Sequence, residues 1–150
     1  MTDGAQGAKG LALGALSAAG SLLANALGGW DAALQTLLWL MAADYATGMV
    51  VAGVFRRSGK SASGALDSRA GFKGLCRKGA MLLLVLLAVR LDALAGGGQY
   101  ARTAVVLFFA GNEGLSILEN LGLMGVPYPA FLRQALAVLL EKGGKGPEDP

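Results

Sequence analysis

Four stretches of the chain stay apolar over lengths close to a bilayer crossing, which takes about 20 helical residues. Residues 10–30, ending "LALGALSAAGSLLANALGGW", carry no charge and recur in glycine and alanine. Residues 32–55, "AALQTLLWLMAADYATGMVVAGVF", carry one charge, Asp44, near the middle. Residues 79–98 begin strongly apolar and then admit Arg90 and Asp92. Residues 103–121 run from "TAVVLFFAG" into "NEGLSILENL". The pattern predicts an all-α integral membrane protein with three or four transmembrane helices. The first stretch is mild in hydropathy, so the span count and the side of the N-terminus stay open. Its rival reading is a cleaved signal peptide with small residues at Ala24 and Ala26, but Lys9 is balanced by Asp3 in a poor basic leader.

The fourth stretch is amphipathic. With Glu113 at zero and about 100° per residue, Asn120 lies near −20°, Ser116 near −60°, Asn112 near −100° and Glu119 near −120°. These five polar residues share about a third of the circumference, and Val106, Leu115, Leu118 and Leu121 lie off it. A lone charge at the bilayer centre costs about 2.5–3.5 kcal/mol on insertion scales. Asp44, Glu113 and Glu119 must therefore be protonated, paired or wet. Three readings follow: a polar contact between helices, an ion-coupled carrier site, or a face that becomes wet when subunits assemble. Small residues at four-residue spacing, Gly14 with Ala18 and Gly48 with Ala52, predict close helix packing.

Between the second and third stretches lies "RRSGKSASGALDSRAGFKGLCRK", residues 56–78. It holds Arg56, Arg57, Lys60, Arg69, Lys73, Arg77 and Lys78, seven of the 13 basic residues, against Asp67 alone. The positive-inside rule makes it a cytoplasmic loop, facing anionic lipid headgroups. "SGKS" lacks the upstream glycine and the strand of a phosphate-binding loop. Beyond the spans, residues 1–9 form a tail. Residues 123–142, broken by Pro127 and Pro129, predict an interfacial or cytoplasmic helical segment, and residues 143–150 a disordered tail.

Composition sharpens this. The chain is 54% hydrophobic and 15% charged, where soluble domains carry about 25% charge. Its 24 glycines suit packed membrane helices. There is no histidine, and the one cysteine, Cys76, excludes an intrachain disulfide and a metal cluster. No nucleophile–base pair, cofactor loop or metal set can be assembled, so the reading is of a non-enzyme without cofactor. The basic residues cluster as for a membrane face, not a nucleic-acid groove.

Five elements in order then resemble the toxin-secretion/phage-lysis holin family of small bacterial and phage membrane proteins. They are "DYATG" at 44–48, "SRAGFKGLCRK" at 68–78, "LD" at 91–92, "NEGLSILEN" at 112–120, and "GVP" at 125–127 followed by Leu132. The resemblance covers about residues 32 to 135. It implies a multi-pass protein of the bacterial cytoplasmic membrane that homo-oligomerises into lesions, through which a phage endolysin or a toxin passes. Asp44, Asn112, Glu113, Ser116, Glu119 and Asn120 would form the oligomerisation or pore face. A small ion-coupled transporter would show inverted repeats, which are not visible. An antiholin or membrane anchor without pore activity would bind without permeability.

Overall fold

The computed structural model describes residues 3–144, all in helices and connecting turns. Five helices follow in order: α1 Asp3–Ala26, α2 Ala32–Val50, α3 Ser68–Leu94, α4 Tyr100–Leu123 and α5 Ala130–Gly144. A π-helical turn, Val51–Phe55, extends α2 and ends where Arg56 takes a left-handed conformation at φ 51°. The all-helical expectation holds, and three segments are long and apolar enough to cross a membrane: Gln6–Ala26, Ala32–Phe55 and Tyr100–Leu123. A 24-residue helix is about 36 Å long, enough for a hydrocarbon core of about 30 Å.

Several boundaries differ from the sequence reading. No free tail occupies residues 3–9, because α1 begins at Asp3; residues 1–2 lie outside the described region. The basic segment is not one loop. Its second half is the first third of α3, which Asp67 starts by accepting a hydrogen bond from the Arg69 amide at 2.8 Å. The apolar stretch that begins at residue 79 is thus the end of a longer helix, whose Arg77 and Lys78, with Lys73 on one side or Arg90 and Asp92 on the other, keep it out of the set of strongly apolar spans. Gly143 and Gly144 belong to α5, not to the tail; residues 145–150 lie outside the described region.

Helices α2, α3 and α4 enclose the core of Leu37, Met41, Met81, Val85 and Val106. Their directions follow from contacts at the two ends. At one end Arg57, just after α2, donates to the carbonyl of Leu123, the last residue of α4 (3.5 Å). At the other, the start of α4 meets the end of α3 and the α1–α2 turn. So α2 and α4 run parallel, with α3 antiparallel between their ends.

Helix α5 does not stand apart as an interfacial segment. It folds back along α4, because two glycines let the backbones approach. A Cβ on Gly111 would lie 2.8 Å from both the Leu136 carbonyl and the Leu140 amide, and one on Gly143 would collide with backbone atoms of Ala104 and Phe108. The pairing of 111 with 136–140 and of 143 with 104–108 makes the two helices antiparallel. Helix α1, in contrast, has none of its apolar span buried. Gly14 has nothing within 4 Å of its Cβ position and Ala18 is exposed, so neither packs a helix within the chain. Of the other expected pair, Ala52 is buried and Gly48 faces Asn120.

Candidate functional site

The polar residues of α2 and α4 meet between the helices, and α3 supplies a partner that the sequence reading had placed elsewhere. Lys78 is buried, 9% exposed, instead of facing lipid headgroups with the rest of the basic segment. Its Nζ lies 2.8 Å from Asp44 Oδ2 and also pairs with Glu113 Oε2. Ser116 donates to the other Asp44 oxygen at 2.5 Å, and Asn120 Nδ2 reaches Thr47 Oγ1 at 2.9 Å and Asp44 Oδ1 at 3.3 Å. Asp44 and Glu113 are 6% and 5% exposed. Both lie near the middle of their spans, where an uncompensated charge is most costly. Two carboxylates share one ammonium, and no buried side-chain nitrogen or oxygen among the described residues lacks a partner.

The expected polar face is therefore split. Glu113, Asn120 and Ser116 turn toward α2 and α3 with Asp44. Asn112 and Glu119, on the far edge of the stripe, stay exposed and form one wall of a cavity of about 560 Å³. That cavity opens beside the basic segment, with the Lys78 cluster in its floor.

A second buried cation was missed by the sequence reading. Arg102, 2% exposed, begins α4 at the opposite end. Its guanidinium forks onto Asp31 (2.6 and 3.0 Å) and donates to the carbonyls of Leu27 at 2.7 Å and Gly29 at 3.4 Å. Gly28 between them must be glycine: its φ is +89° and a Cβ would sit 2.5 Å from Arg102 Nε. Asp92 accepts from the amides of Ala101 and Arg102 at 2.9 and 2.8 Å, satisfying two free donors at the α4 start. The available signal was an arginine far from the basic segment, on a side with two unexplained acids.

Asp31 also caps α2 through the Leu34 amide at 2.9 Å. The hydrogen bonds from Arg102 hold its carboxyl below the ordinary value near 3.8, against the opposing effect of burial. A depressed carboxyl stabilises the fold above its unfolded pKa, and that contribution is lost as pH falls through the folded value. Asp31→Asn keeps the cap but loses the charge. Its melting temperature in detergent is expected to fall below wild type at pH 7, with the gap closing below about pH 3.8. A gap that persists unchanged at low pH would show that the charge contributes nothing.

These features define a class: a helical membrane protein whose bundle is closed by buried ion pairs instead of apolar packing alone. The sequence matches the bacteriophage holin family over residues 21–141, and the chain belongs to that family. It is 41% identical to an uncharacterised protein of Clostridium perfringens, over 82% of this chain and 86% of the other. It is 33% identical to an uncharacterised Listeria monocytogenes protein, over 86% of each. A protein of Bacillus phage phi105 named "Probable holin" is 35% identical, over 71% of this chain and 73% of its own length. No solved structure matches.

Proposed function

We propose that this chain is a holin of the bacterial cytoplasmic membrane, which accumulates as a closed bundle and then assembles with further copies into lesions that pass an endolysin or an exported toxin. The observation that carries this reading is the sheltered polar seam of Asp44, Lys78, Glu113, Ser116 and Asn120. Within one chain, the seam neutralises groups that a bilayer does not tolerate. In an assembly the same groups could line water without changing the sequence's apolar exterior. The basic segment at 56–78 sets this end in the cytoplasm. Helix α3 crosses beside α2 and α4, because Lys78 and Asp92 are matched inside the bundle. With α1 as a fourth crossing the N-terminus is cytoplasmic, while α5, folded back along α4, brings Gly143 toward the opposite, Arg102 end.

The test is inducible expression in a bacterium, alone and with a signal-less endolysin, following optical density and release of a cytoplasmic enzyme. Abrupt lysis that needs both proteins supports a lesion passing large cargo. Depolarisation without enzyme release points to a small ion pathway, and membrane insertion without either effect points to an antiholin or anchor. Glu113→Gln and Asp44→Asn are each expected to shift the lysis time at equal membrane levels; unchanged timing in both would remove the seam from the mechanism.

A further inference from the structure

The seven cations of residues 56–78 do not form one surface. Lys78 is consumed by the buried carboxylates. Arg56 ends the π-helical turn, Arg57 reaches the C-terminus of α4, and Arg69 sits outside the cavity at the start of α3. The remaining three, Lys60 from the loop and Lys73 with Arg77 one turn apart on α3, all line the 560 Å³ cavity. None of them forms an ion pair among the described residues, where the ion pairs involve Lys78 and Arg102. Ser58 and Ser61 add hydroxyls to the same rim, and Glu119 with Asn112 offers acceptors on the opposite wall. The floor is already neutralised in part by Lys78.

From this placement we infer that the cavity seats one phosphate-bearing lipid headgroup, with the phosphate on Lys60, Lys73 and Arg77. Its volume falls in the range of small-molecule sites, about 300–1,000 Å³. Three cations without an ion pair among the described residues line one concave, partly apolar space, with Asp67 at the α3 start and Glu119 on the far wall as its exposed acids, and they suit a phosphate better than any group lacking formal negative charge. The exposed edge, where Met49 and Leu66 lie, leaves room for acyl chains to pass into the bilayer. Headgroup hydroxyls meet Glu119 and Asn112. This goes beyond a basic face that holds the membrane by summed charge, which would treat every exposed cation alike.

Native mass spectrometry of the full chain in detergent, titrated with phosphatidylglycerol, tests it without any reference to lysis. Wild type is expected to retain one phosphatidylglycerol and not the phosphate-free diglucosyl diacylglycerol. The triple variant Lys60→Gln/Lys73→Gln/Arg77→Gln is expected to lose retention about tenfold, and Arg56→Gln/Arg57→Gln/Arg69→Gln less than about twofold, although the charge removed is the same. Lys73→Gln alone, with helical circular dichroism unchanged, guards against a folding artefact. Equal losses from the two triple variants overturn the site in favour of a diffuse basic face. Equal retention of the glycolipid overturns the role of phosphate, and displacement of the lipid by millimolar inorganic phosphate would assign the cavity to a soluble anion instead.

Discussion

Lys78→Met is expected to destabilise the folded chain by about 3–5 kcal/mol, the scale on which removing one partner strands a buried charge. The methylene stem is nearly conserved, so packing changes little. What is lost is the only positive group among the described residues that touches Asp44 Oδ2 and Glu113 Oε2. Two carboxylates would then share the middle of the bundle without a cation, and Ser116 and Asn120 would still donate to Asp44 alone of the two. At least one must take up a proton or the helices must part. The triple variant Lys78→Met/Asp44→Asn/Glu113→Gln is expected to recover most of the loss, because replacing a whole buried ionic cluster with neutral groups is often close to neutral. Thermal unfolding in detergent, followed by circular dichroism, checks both. An unchanged midpoint for Lys78→Met, or no recovery in the triple variant, would show that charge matching is not what holds these helices.

The second large effect concerns glycine, and its sign depends on the helix. Gly111→Ala and Gly143→Ala each place a methyl group against the backbone of the facing helix, which cannot rotate away as a side chain can. Overpacking of this kind costs about 1–3 kcal/mol. Helix α5 is expected to lift from α4, read as faster amide exchange across Ala130–Gly144 while α2 and α3 keep their protection. Gly14→Ala is the counterpart. Its Cβ meets open space, so the variant gains about 0.5–1 kcal/mol of helix stability from lower backbone freedom. Equal behaviour at all three positions would mean that α5 is not docked through Gly111 and Gly143.

The periodic part of this architecture was legible in the chain. Apolar runs of the right length forecast the helices, and the 100° rule placed Glu113, Ser116 and Asn120 on one strip that turns inward. Partner identity was not legible. Lys78 stands next to Arg77 in a basic run, and nothing local shows that one turns into the bundle while the other faces the cavity. That choice is made by Asp44 and Glu113, more than 30 residues away in either direction. Arg102 was overlooked for the same reason, since its partners lie near residues 27–31. The small-residue spacing at Gly14 and Ala18 signalled packing where the described chain makes none, whereas Gly111 and Gly143 carry it. Spacing states that a close approach is permitted, not which surface makes it. The proline pair hid α5's docking by suggesting a detached segment, although a turn is what allows the chain to reverse onto α4.

One alignment along α4 ties its two ends together. Arg102 precedes Glu113 by 11 residues and Asn120 follows by seven, so all three fall within about 20° of one line down the helix. The guanidinium clasp at one end and the shared ammonium in the middle therefore engage through a single edge of a rigid rod. A rotation of α4 large enough to swing Glu113 away from Lys78 must also pull Arg102 from Asp31 and Asn120 from Asp44. These contacts cannot be surrendered one by one. Such a rod turns as a unit, so the strain of any one rupture is carried by all three contacts together.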